Sequence, residues 1–390
     1  MRIPRWLPLL LGSLTAVGPI SIDMYLPAFP QIEAALGGEP GTAQFTLAAF
    51  FAGLAVGQLM QGSLSDRLGR RGPLLAGTAL YTIASVGCAL APNLFWLSVF
   101  RALAALGGSA SMVIPRAIVR DLADGHEAAR LMSRLMLVMG AAPILAPTLG
   151  GIVLAAAGWQ AIFWVIAIYG AICGLLVWFF LPDTLPVRSR VKLGPGAQIS
   201  RYVAVLRERG FVTHTFAGGM CSFGMFAYIG GSPVVFIEHF HLTPEQFGGV
   251  FGVCAAWLIA ASQINPFLLP RFGTGGVLRG ALRLSLCATT ALTVVAFLGR
   301  GGIWAVLIPL FFNLFSFGLV WPNATVRALT RHASHAGSAS AVMGTLQFVL
   351  GAVSGMLVGV LNDGSVRPMA VLLLVGAIGA NIADFLRPRT

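Results

Sequence analysis

The sequence predicts an all-α membrane protein, with twelve transmembrane helices in two pseudo-symmetric six-helix halves. Three observations carry this. Of 390 residues, 57% are apolar and 10% charged, and the mean hydropathy is +0.85, which excludes an ordinary soluble domain. The apolar residues fall in blocks of about 20, the length that crosses a hydrocarbon core of about 30 Å. They lack the period-2 alternation of a β-barrel. Finally, the least apolar stretch, Pro182–Gly210, lies near the middle of the chain.

In chain order, the first-half spans are Trp6–Ala28, Ala43–Ser63, Pro73–Ala91, Leu94–Arg116, Met132–Ala155 and Ala161–Leu181. Those of the second half are Phe211–Phe236, Phe247–Leu269, Val277–Leu298, Gly302–Ala324, Ala339–Leu361 and Arg367–Leu386. The first span is not a cleaved signal peptide: it is long, carries Asp23 and ends in Pro27 and Pro30 without a small-residue cleavage site. The domains expected are a bundle over 1–186, a linker over 187–209 and a second bundle over 210–390. The linker region is basic, with Arg188, Arg190, Lys192, Arg201, Arg207 and Arg209.

The net charge of +12 raises the question of nucleic acid, and its distribution answers it. With the N-terminus inside, Arg300 and Arg367 face out, Arg101 lies within a span, and the remaining 22 of 25 Lys and Arg fall inside. Outer loops carry Glu33, Glu39, Glu238 and Glu245. This positive-inside bias predicts cytoplasmic termini and no nucleic-acid partner.

All five cysteines fall inside spans without metal-ligand spacing, so neither a disulfide nor a metal or cofactor is expected. The pair His126-Glu127 is followed by Arg130 where a zinc protease needs its second histidine, and Walker and GxSxG motifs are absent. An enzyme is not expected. His214, His332 and His335 sit near inner span ends, where structural or interfacial roles fit.

The halves share a faint repeat. Pro266–Gly280 (PFLLPRFGTGGVLRG) aligns with Gly62–Leu75 (GSLSDRLGRRGPLL) at a shift of 204, matching Arg67 to Arg271 and Gly69 to Gly273. Parallel repeats of this kind place a substrate cavity between the halves. Glycine ladders at Gly53/Gly57, Gly170/Gly174 and Gly351/Gly355/Gly359 give smooth faces for close helix packing.

Two charges lie inside spans. At 1.5 Å per residue, Asp23 is about 24 Å from the inner end of its helix and Arg101 about 10 Å from the outer end of its own. They are therefore expected at similar depth, where they can meet. Charges in hydrocarbon face an aqueous cavity, pair, or carry function. One reading is a structural ion pair. The other is a protonation switch: occlusion favours a neutral carboxyl, water or a guanidinium the charged form. Arg101, permanently charged, would bias Asp23 without titrating. The proline pairs Pro27/Pro30 and Pro143/Pro147 mark hinges or fixed kinks.

Several segments resemble one family. Gly62–Leu75, with Gly62, Asp66, Arg67, Gly69, Arg70 and Arg71, is similar to the loop between helices two and three of major facilitator superfamily transporters. SIDMYLPAFP at Ser21–Pro30 resembles the first-helix signature of its bicyclomycin/chloramphenicol-resistance (Bcr/CflA) drug:proton antiporters. RALAALGG from Arg101 resembles the helix-four motif tied to proton transfer, with Ala104 where Gln is common. APILAPTLGG, with Pro143, Pro147, Gly150 and Gly151, resembles the helix-five antiporter motif, with Ala142-Pro143 for its first glycine-proline pair. Gly158-Trp159, LPDTLP at Leu181–Pro186 and Pro322–Ala341 extend the likeness along nearly the whole chain.

The resemblance implies the major facilitator fold, a bacterial inner-membrane location, and proton-driven efflux of small amphipathic drugs by a monomer. It implies proton-coupling roles for Asp23 and Arg101. It also implies a cytoplasmic latch in the Gly62 loop, with Arg70 reaching Asp121 beside Arg120. Candidate cavity residues are Tyr25, Phe226, Tyr228, Trp257, Asn313, Phe315 and Gln347. Twelve methionines suit a promiscuous surface. The alternative is a proton-coupled carrier of one metabolite, such as a sugar or nucleoside, whose cavity would offer more amides and charges.

Overall fold

Hydrocarbon offers the backbone no hydrogen-bond partner, so long apolar segments close their own bonds as helices. The computed structural model describes residues 4, 6–123, 125–186, 188, 190, 195–330 and 336–387, and among these it contains helices and no strand. Lys192, His332 and His335 lie outside the described residues. In order, the elements are α1 (Leu7–Asp23), a 3-10 turn (Leu26–Ala28), α2 (Phe29–Leu36), α3 (Ala43–Leu68), α4 (Arg71–Ala89), α5 (Leu94–Leu122) and α6 (Gly125–Phe180). Then follow α7 (Pro195–Leu206), α8 (Arg209–Pro233) with a π-helical continuation (Val234–His239), α9 (Pro244–Leu298), α10 (Gly302–Leu329), α11 (Ala336–Val360) and α12 (Arg367–Phe385).

Ten stretches of the described chain are long and apolar enough to cross a bilayer. Two of them, Arg130–Phe180 with 51 residues and Pro244–Leu298 with 55, would be more than twice a bilayer's thickness if straight. Each breaks once instead. Gly158 (φ 78°, ψ 177°) divides α6 and Gly273 (φ 62°, ψ 168°) divides α9, in backbone conformations that favour glycine. Each therefore supplies two spans, giving the twelve of the sequence reading. Gly69 repeats the Gly273 conformation at φ 96°, ψ 171°, so the two positions matched at a shift of 204 share a backbone turn.

The first span differs from expectation. It runs on to Leu36 rather than ending at Ala28, and is broken after Asp23 by the 3-10 turn at Pro27. Proline removes a backbone donor there, and the chain resumes as α2.

In the first half α1 packs on α5 and α6, α3 and α4 on α5, and α4 on α6; in the second, α8 packs on α10, α11 and α12, and α9 on α10 and α12. Two seams join the halves, α3 against α11 and α6 against α9. The core is not uniform along them. At the end remote from the linker, one apolar cluster runs through both halves, from Tyr25, Phe29 and Phe51 to Phe236, Phe251 and Met369. At the linker end it divides. One cluster there, with Leu11, Ile118 and Val177, belongs to the first half; another, with Val277, Leu282 and Val320, belongs to the second. The halves are thus fused at the far end and separately cored at the linker end.

Candidate functional site

The charge-dense loop between α3 and α4 closes on itself and on two other elements. Arg70, 4% exposed, donates from Nε to Asp121 Oδ2 at 2.7 Å and from Nη2 to Asp121 Oδ1 at 3.2 Å, a two-pronged pair with the end of α5. Its Nη1 donates to Asp66 Oδ1 at 2.5 Å and Ser65 Oγ at 3.0 Å. Burial alone lowers the pKa of the Arg70 guanidinium; the hydrogen bonds and charges of Asp121 and Asp66 outweigh it and raise the value above the ordinary arginine range. Arg71 instead reaches the end of α6, donating to the Trp178 carbonyl at 2.6 Å. Arg67 and Arg120 are exposed and form no ion pair among the described residues. Gly62 has open space beside its Cα.

Asp183 completes the cluster. Its Oδ1 accepts from the Arg70 backbone N–H at 2.9 Å, its Oδ2 from Arg190 at 2.8 Å. This places a carboxylate at the start of α4, where the helix dipole favours it. Its carboxylate also fills the space a Cβ on Gly69 would occupy. In the sequence Asp183 stands out only within the LPDTLP match, as an acid just beyond the end of a span.

Asp23 and Arg101 do not pair. Asp23 is 5% exposed and its carboxylate forms no ion pair or hydrogen bond among the described residues. Arg101, 2% exposed, donates from Nη1 to the Ser21 carbonyl at 2.8 Å. Its guanidinium lies 4.0 Å from the ring centre of Tyr25 and 4.1 Å from that of Phe50, so cation–π attraction takes the place of a counter-ion. Its Nε and Nη2 have no hydrogen-bond partner. The reason is angular. Ser21 and Tyr25 are one turn apart on the face of α1 toward α5, whereas Asp23, between them, is rotated by roughly 200°. Matching depth brought the two charges level without bringing them together.

The helix-five motif lies at the α6–α9 seam. A Cβ on Gly150 would strike the Met24 carbonyl, and one on Gly151 would lie 2.8 Å from the Pro244 carbonyl. From the other side, a Cβ on Gly252 would lie 2.9 Å from the Ile144 carbonyl. At Gly151 and Gly252 backbones thus meet across the halves, as small residues permit, whereas Gly150 meets the first span of its own half. Pro143 and Pro147 lie inside α6 without breaking it; the break is at Gly158.

The candidate cavity residues separate into groups. Tyr25 packs on Arg101 and its hydroxyl lies 3.3 Å from Thr46 Oγ1. Phe226 of α8 meets Phe51 of α3 at 4.2 Å and Phe348 of α11 at 5.9 Å between ring centres. Tyr228 stacks on Phe251 at 5.3 Å. These three sit at the fused end where the halves join. Gln347 is half-buried on α11, one turn from Gly351, which abuts Phe226.

Asn313, Trp257 and Phe315 depart from the expectation. Asn313 is buried within the second half, accepting from Ser285 Oγ at 2.8 Å beside a small cavity among α8, α9, α10 and α12. Trp257 shares an exposed apolar face with Val253, Ile264 and Phe267, the spacing of one helix side. Phe315 follows Ile308 and Phe312 on a similar stripe of α10 and touches Trp257. Such stripes suit acyl chains. Residue type placed these aromatics in the cavity; helical phase sets them on exposed apolar stripes.

Comparison with known proteins agrees with this architecture. The sequence model of the Major Facilitator Superfamily matches residues 11–383. The chain is 34% identical to the "Uncharacterized MFS-type transporter YdgK" of Bacillus subtilis, over 97% of this chain and 94% of that protein. It is 29% identical to the "Bicyclomycin resistance protein homolog" of Haemophilus influenzae, covering 95% and 92%. It is also 29% identical to the "Chloramphenicol resistance protein" of Pseudomonas aeruginosa, covering 94% and 87%. Among solved structures, a partially occluded inward-open form of the xylose transporter XylE from E. coli aligns with TM-score 0.74 at 15% identity, over 98% of this chain and 97% of that one. That likeness concerns the fold alone.

Proposed function

The chain belongs to the major facilitator superfamily, of the Bcr/CflA type, and is a multi-pass membrane transporter and not an enzyme; we propose that it is a proton-coupled antiporter that exports small amphipathic drugs, chloramphenicol- or bicyclomycin-like, by alternating access. The names of the bicyclomycin- and chloramphenicol-resistance relatives support the substrate class. The proposed setting is the bacterial inner membrane, with both termini cytoplasmic, a bundle over 1–186, a linker over 187–209 and a bundle over 210–390. A monomer suffices for this arrangement.

One observation carries the proposal: an unpaired, buried carboxylate, Asp23, on a helix break that Arg101 holds through Ser21 and Tyr25. In the proposed cycle Asp23 takes a proton from the periplasm as drug leaves outward. The neutral carboxyl tolerates closure of the far end, because burying an unpaired charge is costly and burying a carboxyl is less so. Inward opening rehydrates Asp23, and its proton passes to the cytoplasm as drug binds. Arg101 remains charged and fixes the break around Asp23. The Arg70–Asp121–Asp66–Asp183 cluster acts as a latch on the cytoplasmic ends of the first half. Tyr25, Phe226, Tyr228 and Gln347 remain the cavity candidates. Few amides and hydroxyls accompany them, which favours an amphipathic drug over a sugar.

The test is proton flux in proteoliposomes that enclose a pH dye. With a proton gradient imposed, chloramphenicol, bicyclomycin or a lipophilic cation should trigger proton movement through the protein. A folded protein giving no drug-linked flux would contradict antiport and turn attention to a metabolite.

A further inference from the structure

Arg116 of α5 is a cation with no ion-pair partner among the described residues. α5 continues past the expected end of its span to Leu122, so Arg116 stands about 9 Å inside the helix rather than at its mouth. Its side chain is exposed. It forms no ion pair among the described residues, and its one polar contact is with Met139 Sδ of α6, 3.9 Å from Nη2.

Helical phase says where this exposed side chain points. One and two turns back along the same side of α5, Met112 lies against Gly18 of α1 and Ser109 against Gly57 of α3. Arg116 therefore projects between α1 and α3, at the linker end where the cores of the two halves are separate. Across from it, Met132, Met136 and Met139 recur at the spacing of one α6 face, and Met136 is 43% exposed. Arg101 is about 22 Å away along α5, and the level of Asp23 with it.

We propose that Arg116 is an anion-binding site at the linker-end mouth of the central cavity, and that it takes the carboxylate, sulfonate or phosphate of an amphipathic substrate. This rests on the reading of that cavity as the substrate path. A guanidinium at this depth is costly without a counter-charge. Water covers it when the site is empty, and an oxyanion offers two parallel hydrogen bonds that water cannot match. The methionine wall accepts apolar bodies of varied shape. The site therefore favours compounds with one acidic group and an apolar remainder over their neutral analogues.

The test compares chloramphenicol succinate, which carries a carboxylate, with neutral chloramphenicol. Binding is measured at equilibrium on the full chain in phosphatidylcholine nanodiscs, with no proton gradient. Wild type should bind the succinate about tenfold more tightly. Arg116→Gln should abolish that preference while leaving chloramphenicol affinity within about twofold, and Arg116→Lys should retain part of it. Equal affinities in wild type, no binding of either compound, or an equal loss of both in Arg116→Gln would overturn the assignment. Repeating the titration with phosphatidylglycerol in the disc separates a lipid occupant. Loss of the preference only in that bilayer would assign the site to a lipid headgroup and overturn its substrate role. Failure of antiport would show as absent proton flux in proteoliposomes, a separate readout from this binding preference.

Discussion

The Arg101 guanidinium sits 4.0 Å from the ring centre of Tyr25, on the side of the first span turned away from Asp23. The arginine thus acts on the acid through the backbone that carries it: Ser21 is held by its carbonyl, Tyr25 by its ring, and Asp23 lies between them. A lysine keeps the charge but lacks the planar group that stacks on Tyr25 and Phe50. Arg101→Lys is expected to lower pH-gradient-driven transport about tenfold, a loss of about 1.4 kcal/mol, with little change in folded yield. Transport at the wild-type rate would contradict this coupling.

The buried Arg70 depends on its carboxylates. Asp121→Ala removes both prongs of one pair and leaves a largely buried cation with Asp66 alone. By the cost of lost hydrogen bonds to a charged group, this destabilises the protein by about 2 kcal/mol, read as a lower unfolding midpoint in detergent. Asp66→Ala should reduce turnover more than drug binding. Unchanged turnover would rule out a latch.

The pH response of this cluster follows from the direction of the Arg70 shift. Its value is raised in the folded protein, so its contribution is complete below the unfolded arginine value and is lost only as pH rises through the higher folded one. Between about pH 7 and 10 the stability difference between wild type and Asp121→Ala should therefore stay flat. A difference that collapses within that range would mean that Arg70 is not the cation holding the cluster.

Two glycines of the same loop are expected to behave oppositely. Gly69 has φ 96° and its missing side chain leaves room for Asp183. Gly69→Ala adds left-handed strain of about 1–2 kcal/mol and displaces that carboxylate, so its unfolding midpoint should fall. Gly62 is helical with open space beside it. Gly62→Ala should be neutral or stabilising by up to about 1 kcal/mol. If Gly62→Ala is stable yet slow in transport, the glycine serves a state other than this one.

Where α6 meets the break in the first span, Gly150→Ala places a methyl against the Met24 carbonyl. It should weaken closure of the far end and raise labelling, by a membrane-impermeant maleimide, of a cysteine introduced at Met24. Unaltered labelling would mean that the α6 contact with the first span absorbs the methyl.

Much of this architecture was legible from hydropathy and punctuation. The spans and the repeat at Gly69 and Gly273 follow from apolar block length and glycine placement; the Arg70–Asp121 contact follows from the family resemblance of the Gly62 loop. Direction around a helix was less legible. Depth along the bilayer set Asp23 level with Arg101, but angle set them apart. The aromatic character of Trp257 and Phe315 did not reveal that their neighbours one turn away are exposed. Arg116 read as the end of a span because the apolar block stops there, while α5 continues to Leu122. Asp183 joins the cluster through the return of α6, a contact more than 100 residues from Arg70 in sequence.

The most direct test of the central claim, that Asp23 carries the coupled proton, compares two transport modes of Asp23→Asn in proteoliposomes. One is drug accumulation driven by an imposed pH gradient; the other is exchange of labelled for unlabelled drug without a gradient. The asparagine cannot release a proton, so gradient-driven accumulation should vanish while exchange persists. Full gradient-driven accumulation by Asp23→Asn would contradict the account and move the proton to another group.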